Sequence, residues 1–318
     1  GSGTQVKAGW LRVGSRTRRG KACVKVLPVH PGVSIASGMP VDAPEEDWDK
    51  LQIMFATSKG GARRNALSDF TNVKANGKIA MKFEGDDENA SLVDARICKE
   101  DDDVMLVTAK GKAIRFPSTD VRVFQSRAST GVRGIRLAED DEVVSMSIIR
   151  HFKATPEERA AYIKMRRAVA GQTDEEVSDD EAVADIALSQ ERYVEMSAAE
   201  HLILTITEMG AGKLSSSHDY PVRGRGGQGV GAMDKAMRGG RLVASFPVEI
   251  DDQIMLVTDG GQSIRCPVGG ISFRSRGAGG VKVFNTGKDE KVVSVAWSAE
   301  QSDDDKSGDI DGSNGGEP

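Results

Sequence analysis

A short, nearly continuous apolar stretch that ends in threonine occurs four times along the chain. Its copies are Ile53–Thr57, Val104–Thr108, Leu204–Thr207 and Ile254–Thr258. Each copy is followed by a turn that contains glycine, and three of them then lead into a second strand-like stretch such as Ala113–Pro117. Apolar runs of this length between turn residues predict strands that are covered on both faces, and the two stretches together predict a β-hairpin.

The four threonines define a sequence repeat. They stand at positions 57, 108, 207 and 258, so their spacings are 51, 99 and 51 residues. After the hairpin, a repeat continues with a glycine-rich loop, a third strand such as Gly131–Leu137, an acidic turn and a fourth strand such as Glu142–Ile148. Four short strands in a unit of about 50 residues are typical of a propeller blade. The sequence therefore predicts an all-β fold, a propeller-like disc of about five four-stranded blades.

The repeats give the expected domain organisation. Residues 1–298 form the disc, with blades at approximately 1–50, 51–100, 101–150, 201–250 and 251–298. The first of these units lacks its first strand. The middle spacing of the threonines contains one repeat and 48 additional residues, which places an insertion at 151–200.

The insertion and the C-terminal tail differ in composition from the repeats. Thr155–Glu158 has proline in the first turn and Glu three residues after the cap, which predicts a helix that reaches Val169. A second short helix is expected from Ser189 to Ala199, and the acidic stretch between them is expected to be mobile. We expect the insertion to project from the disc, and we expect the acidic residues 299–318 to be a disordered tail.

The charge of the chain is unevenly distributed. The 318 residues carry a formal net charge of −5, but residues 151–200 and residues 299–318 each carry a net −6. The remaining 248 residues therefore carry a net +7. A basic body with acidic appendages is compatible with a polyanionic partner and equally with solvated faces of no functional consequence.

Composition favours a cytoplasmic protein. No apolar run approaches the roughly 18 residues of a membrane span, and the N-terminus lacks a secretory apolar core. The cysteines, Cys23, Cys98 and Cys266, lie far apart and form no CxxC pair, which is typical of a reducing compartment.

The loop between the second and third strands repeats an Arg-x-x-x-Gly pattern. It occurs as Arg16–Gly20, Arg127–Gly131, Arg225–Gly229 and Arg276–Gly280, and Val73–Gly77 is a degenerate copy. Equivalent loops of a ring lie on one rim, so their cations are expected to form a curved, solvent-facing stripe. Glycines let a backbone approach a phosphate closely, and arginine adds a bidentate cation. The alternative is that these loops are only turns with solvated cations.

The loops contain no aromatic residue, and only 5% of the chain is aromatic. Stacking on single-stranded bases is therefore not expected, and the pattern favours double-stranded DNA recognised through its phosphates, shape and bending. The candidate DNA-binding residues are Arg16, Arg18, Arg19, Lys21, Arg63, Arg64, Lys74, Lys78, Arg115, Arg127, Arg133, Arg136, Arg223, Arg225, Gln228, Arg265, Arg274, Arg276 and Lys282.

Other chemistry is not supported by the motifs. Gly210–Ser215 superficially resembles a phosphate-binding P-loop, but Thr207 stands where the first glycine is needed and Leu214 where Ser or Thr is needed. The histidines show no ligand spacing, so no metal site is expected. We therefore expect neither a catalytic residue nor a cofactor in this chain.

The repeats and one of their loops resemble a known protein family. The repeats, and above all Arg223–Gly229, resemble the C-terminal β-pinwheel domain of the bacterial DNA gyrase A protein. The signature of that family, the gyrase-A box, reads Gln-Arg-Arg-Gly-Gly-Lys/Arg-Gly. Arg225, Gly226, Gly227 and Gly229 match the signature, whereas Arg223, Gly224 and Gln228 depart from it. In the family the full box lies in the first of usually six blades, which would precede residue 1.

The resemblance implies a function for the disc. It implies binding and wrapping of duplex DNA in support of ATP-dependent negative supercoiling by the gyrase holoenzyme. The implied partners are the N-terminal cleavage domain of the gyrase A protein and the gyrase B protein in an A2B2 assembly, and ATP and Mg²⁺ are expected elsewhere in that assembly. The related domain of topoisomerase IV is an alternative. A propeller that binds protein partners is another, although apolar and aromatic loop tips would then be expected instead of Arg-Gly loops.

Overall fold

The computed structural model describes residues 2–3, 35–73, 78–83, 89–127, 129–171, 186–233 and 239–298. The expectations for residues 4–34, for the acidic stretch at 172–185 and for the tail at 299–318 lie outside the described residues.

Short antiparallel strands dominate the structure, and two helices interrupt them. The strands are β1 (Ser2–Gly3), β2 (Gln52–Thr57), β3 (Gly61–Ala66), β4 (Lys78–Ile79), β5 (Leu92–Cys98), β6 (Asp102–Thr108), β7 (Lys112–Pro117), β8 (Val132–Arg133), β9 (Val143–Arg150), β10 (Leu202–Thr207), β11 (Ala211–Ser216), β12 (Val230–Gly231), β13 (Leu242–Val248), β14 (Gln253–Thr258), β15 (Ser263–Pro267), β16 (Val281–Lys282) and β17 (Val292–Ser298). The helices are α1 (Pro156–Val169) and α2 (Gln190–Ala198).

The strands form four blade-like sheets, which confirms the predicted all-β, propeller-like fold. Blades 1, 2 and 3 have the strand orders β5-β2-β3-β8, β9-β6-β7-β12 and β13-β10-β11-β16, and blade 4 has the order β17-β14-β15. In the four-stranded blades the last strand in the order comes from the following repeat. Val132 thus pairs with Ala62, Val230 with Ala113 and Val281 with Gly212.

The described residues contain four blades where the sequence predicts about five. The first unit contributes β1, whose Gly3 lies opposite Lys78 of β4, in the same relation as Ala62 to Val132. Residues 35–44 of this unit form no strand. In the four described blades the first strand pairs with both the second and the fourth strand.

The marker threonine shapes each hairpin. Its hydroxyl accepts a hydrogen bond from the backbone N–H four residues later, at 2.9 Å for Thr57 and 3.1 Å for Thr108. Thr207 and Thr258 make the same bond at 3.2 and 3.1 Å. In all four blades the register also shifts at this residue, which is the mark of a β-bulge.

Buried side chains fill the space between successive blades. Blades 2 and 3 each present alternate residues of the first strand to the blade before and to the blade after, which explains their continuous apolar runs. The fourth strands β5, β9, β13 and β17 line a central cavity of about 730 Å³. The interfaces contain Met54 with Leu106, Met105 with Ile203, and Leu204 with Leu256.

The helices of the insertion pack against blade 3 and do not project freely. Helix α1 begins with the predicted capping box, in which Thr155 and Glu158 exchange side chain-to-backbone hydrogen bonds. The Tyr162 ring lies 5.0 Å from the ring of the buried His218, and His218 Nε2 donates to the Met196 carbonyl at 2.7 Å. These contacts fix both helices on the turn that follows β11.

Candidate nucleic-acid interface

The Arg-x-x-x-Gly loops that begin at Arg127, Arg225 and Arg276 lie at the outer edge of the disc, just before the strand that each repeat donates to its predecessor. The last glycine of each of these three loops rests directly on the preceding sheet. Gly131 has φ +96°, and a Cβ there would lie 2.5 Å from the Ala62 carbonyl oxygen. A Cβ at Gly280 would lie 2.9 Å from the Gly212 nitrogen. The repeated glycine is therefore required by the contact between blades, in addition to any role towards a ligand.

The loop arginines link two repeats through hydrogen bonds. Arg225 donates through Nε to the Asp120 carbonyl at 2.8 Å and through a terminal nitrogen to the Arg133 carbonyl at 3.0 Å. Arg276 makes the equivalent bonds to its own preceding repeat, in which the acceptors are the carbonyls of Asp219 and Gly231. The arginines that the sequence predicts to bind DNA therefore hold these loops against the preceding repeat.

Arg276 corrects the expectation that every loop arginine faces solvent. It is 5% exposed, whereas Arg225 is exposed. The backbone N–H of Arg276 donates to an Asp219 carboxylate oxygen at 2.6 Å, and the guanidinium forms an ion pair with the same carboxylate. A side chain held in this way is not available to a phosphate.

Three further candidates are buried, which corrects the expectation that they belong to an exposed stripe of cations. Arg63, Arg64 and Arg115 are 0%, 4% and 2% exposed. Arg115 donates to the buried Asp103 carboxylate at 2.8 Å and to the Ser217 carbonyl at 2.7 Å. These residues lie within second strands, and a sheet that is covered on both faces buries both of two successive side chains.

Each of these buried arginines holds a segment of the following repeat. Arg64 donates to the Val121 carbonyl at 2.7 Å, and Arg63 donates to the Ser129 carbonyl at 2.7 Å. Burial lowers the pKa of the Arg63 guanidinium to about 10, so the group stays cationic at neutral pH.

The structure brings the remaining polar candidates of two repeats together into one exposed cluster. We define the rim patch as Arg133, Arg136, Arg223, Arg225 and Gln228, all of which are exposed. Backbone hydrogen bonds join the segments that carry them. The Arg136 N–H donates to the Gly227 carbonyl at 2.8 Å, and the Gly226 N–H donates to the Gly134 carbonyl at 2.6 Å. The segment that resembles the gyrase-A box therefore lies beside the third strand of the preceding repeat.

The other candidates are distributed outside the rim patch. Arg265 and Lys282 are exposed on β15 and β16, and Lys78, Arg127 and Arg274 are half-buried. Lys78 donates to the Thr71 carbonyl. The candidates Arg16, Arg18, Arg19, Lys21 and Lys74 lie outside the described residues.

Arg122 and Lys213 are two of the basic residues that the sequence did not single out as candidates. Arg122 is exposed and lies 3.9 Å above the Phe124 ring. Lys213 is fully buried in β11, within the segment that resembles a P-loop, which here is a strand of blade 3. Lys213 could have been found by aligning the repeats, because it occupies the position in its repeat that Arg63 occupies in blade 1.

In the described part of the chain, no group of His, Cys, Asp and Glu has the arrangement of a metal site. None of the helices in that part is long and apolar enough to cross a membrane.

Comparison with known proteins identifies relatives of this chain. The sequence profile of the family described as DNA gyrase C-terminal domain, beta-propeller matches residues 52–95, 102–150, 201–249 and 252–296. The DNA gyrase A protein of Granulibacter bethesdensis is 46% identical over 293 residues, which cover 88% of this chain and 31% of that protein. The chain thus spans about a third of the length of this relative.

Solved structures show the same fold. The C-terminal domain of DNA topoisomerase IV superposes with a TM-score of 0.64 at 18% identity, over 88% of this chain and 71% of that chain. The DNA gyrase A C-terminal domain superposes with a TM-score of 0.62 at 20% identity, over 90% of this chain and 77% of that chain. The four profile matches fall on the four blades. The chain therefore belongs to the DNA gyrase C-terminal domain family, with its beta-propeller fold.

Proposed function

We propose that this chain binds duplex DNA and bends it around the outer edge of the disc, as the DNA-wrapping domain of a gyrase A protein. The observation that carries the proposal is the rim patch, in which four exposed arginines from two successive repeats lie on adjoining segments. Equivalent positions of successive repeats follow the edge of the disc. A duplex that neutralises its phosphates on several repeats must therefore curve with that edge.

The chemistry of the rim patch suits phosphates better than bases. Guanidinium groups form bidentate hydrogen bonds with phosphate oxygens, and the patch contains no aromatic ring on which a base could stack. We therefore expect weak sequence preference, a steep dependence of affinity on salt, and better binding of easily bent duplexes.

The wrapped segment would serve the whole enzyme. In this proposal the disc presents DNA to the cleavage domain of the gyrase A protein, and the gyrase B protein hydrolyses ATP with Mg²⁺ in an A2B2 holoenzyme of the cytoplasm. This chain contributes binding and curvature, and no bond of the DNA is broken by its residues. The handedness of the wrap would then give strand passage its direction, which leads to negative supercoils.

The test is a titration of a fluorescent duplex at several salt concentrations with matched variants. The rim variant Arg133→Ala/Arg136→Ala/Arg223→Ala is compared with the control variant Lys99→Ala/Lys153→Ala/Lys164→Ala, which loses the same charge at exposed positions outside the rim patch. The rim variant should bind more weakly, and its plot of log affinity against log salt should flatten by about 0.9 for each lost contact. Equal binding by the two variants, or a preference for single strands, would contradict the proposal.

A second assay separates wrapping from simple binding. A nicked plasmid that is ligated with the chain bound should retain supercoils of one sign after the protein is removed. Binding without retained supercoils would limit the function to DNA binding, as in a domain that only recruits its substrate.

A further inference from the structure

Two buried cations lie directly beneath Arg-x-x-x-Gly loops, here called rim loops, and donate hydrogen bonds to the carbonyl oxygens of those loops. Lys213 Nζ donates to the Ser275 carbonyl at 2.9 Å, to the Ala278 carbonyl at 2.7 Å and to the Arg276 carbonyl. Arg63, in the same register of blade 1, donates to the carbonyls of Arg127 and Ser129. Both contacts join a second strand to the Arg-x-x-x-Gly loop of the following repeat.

The rim loop Arg225–Gly229, which lies between these two in the chain, is supported by different contacts. Ile114 occupies this register in blade 2, and its Cδ1 lies 3.8 Å from where a Cβ of Gly227 would be. The Gly227 carbonyl accepts from the Arg136 N–H instead of from a buried cation. An apolar side chain can therefore support a rim loop, so packing alone does not require a cation at this register.

A buried cation costs free energy that hydrogen bonds offset. The loop carbonyls accept three bonds from Lys213 Nζ and two from one terminal nitrogen of Arg63, whose other two nitrogens have no hydrogen-bond partner. Because these carbonyls point inwards, the direction of the N–H group in the same peptide is fixed as well. A trans peptide is planar, and its N–H points opposite to its C=O. The N–H groups of Gly277 and Thr130, which share peptides with the carbonyls of Arg276 and Ser129, are thus turned away from the buried cation. Both residues are half-exposed.

We propose that Lys213 and Arg63 are positioning residues for DNA, which turn the peptide N–H groups of Gly277 and Thr130 outwards to bind phosphodiester oxygens. This inference rests on the proposed function and adds a class of contact to it. Backbone N–H groups that face solvent donate hydrogen bonds to DNA phosphates, and glycine at 277 allows close approach. The buried Arg276 then contributes through its peptide, although its guanidinium is occupied.

The first test needs no variant. Amide resonances of the chain are followed during titration with a short duplex, and hydrogen exchange is measured with and without DNA. The amides of Gly277 and Thr130 should shift and gain protection. The amide of Ala199, which donates to the Glu195 carbonyl in the helical insertion outside the rim patch, is the internal control and should change little. Unchanged Gly277 and Thr130 amides on a chain that binds DNA would overturn the inference and leave the proposed function in place.

The second test removes the cation and then restores it. Lys213→Met keeps the length of the side chain without its charge, and Lys213→Arg places in blade 3 the residue that blade 1 has. Well below the melting temperature, Lys213→Met should bind duplex DNA several-fold more weakly, and Lys213→Arg should restore the affinity. Ile114→Met is the matched control and should bind like the parent.

A purely structural role gives a different result. Lys213→Met would then melt earlier but bind DNA with the affinity of the parent at a temperature where both are folded. That result, or a failure of Lys213→Arg to restore binding, would overturn the inference. A parent chain that does not bind duplex DNA at all would overturn the proposed function as well.

Discussion

A single hydroxyl closes the turn of each hairpin. In all four blades the marker threonine is buried and accepts the N–H that begins the second strand. Glycine with positive φ stands three residues after each of them, as Gly60 (87°) and Gly111 (83°) illustrate. The hydroxyl and the glycine together allow a tight turn beside a bulge, where an ordinary ladder hydrogen bond is lost.

Replacing Thr108 with valine tests this role. The change keeps the shape of the side chain but leaves the Lys112 N–H without its acceptor, so the free energy of unfolding should fall by about 1–2 kcal/mol. DNA affinity should be unaffected below the transition. Urea denaturation measures the loss, and the exposed Thr119→Val provides the control. A variant as stable as the parent would show that the hydroxyl is dispensable.

Alanine substitutions should divide the rim arginines into those that mainly affect stability and those that mainly affect DNA affinity. Arg276→Ala removes a buried side chain with two backbone carbonyl partners, so it should lower the free energy of unfolding by about 2 kcal/mol or more. Arg223→Ala changes an exposed side chain, so stability should stay within about 0.5 kcal/mol while DNA affinity falls. Melting curves beside binding titrations distinguish them. Identical profiles for the two variants would contradict this division.

The sequence predicted the positions of the Arg-x-x-x-Gly loops better than the exposure of their arginines. The Arg-x-x-x-Gly spacing correctly predicted loops at equivalent positions of successive repeats. It could not show that the Arg276 side chain is buried while the Arg225 side chain stays exposed, because both stand at the same position of their loops. That difference depends on the path of the preceding repeat, which comes close only in three dimensions. Arg63 and Arg64 were recoverable, since a strand covered on both faces leaves neither side chain exposed.

At the scale of elements, the helical insertion is held to blade 3 by a buried histidine. His218 is 2% exposed, and its ring meets Tyr162 of α1 and Phe152. Burial, with smaller contributions from nearby cations such as Arg159, lowers the pKa of His218 to about 4. The imidazole is therefore neutral in the folded protein over most of the acidic range.

This pKa predicts that acid weakens the attachment of the insertion. The unfolded histidine titrates near pH 6.5, so the stabilisation is fully present above that pH and is lost as pH falls towards 4. Between about pH 7.5 and pH 5 the parent should lose stability more steeply than His218→Gln, whose amide can still donate to the Met196 carbonyl. Denaturant titrations at each pH give the slopes. Equal slopes for parent and variant would show that His218 does not control this dependence.

The limits of α1 were predictable because the capping signal is local: Thr155 and Glu158 lie within one turn. The docking of the helices was not predictable in this way. Tyr162 and His218 are far apart in the chain, and an acidic composition suggested an excursion from the disc. Contacts of this kind depend on tertiary packing, which no local pattern contains.

For the whole molecule, charge distribution makes a prediction about the tail. Residues 299–318 carry a net −6, and a tethered polyanion competes with DNA for basic groups at high effective concentration. Removal of this segment should raise DNA affinity several-fold at low salt, and the gain should shrink as salt screens the charges. Titrations of the parent and the truncated chain at two salt concentrations measure the effect. Unchanged affinity at low salt would make the segment a solubility feature.

The repeat spacing predicted the disc as a whole, because fifty-residue periodicity is a global property that is visible in sequence. The exchange of strands between repeats was not predicted. A third strand of two residues, such as β8, shows no pattern that would indicate whether it pairs within its own repeat or with its predecessor.

This exchange determines how the disc could be divided. The insertion enters between β9 and β10, yet β12, downstream of it, returns to complete blade 2 by pairing with β7. Blade 2 is thus built from chain on both sides of the insertion, and covalent continuity at 151–200 is not what connects the halves. Two polypeptides separated within the insertion would each lack part of a shared sheet, and each would carry the strand or the strand edge that the other needs. The domain is therefore suited to reconstitution from fragments, with assembly of blade 2 as the sign that the halves have joined.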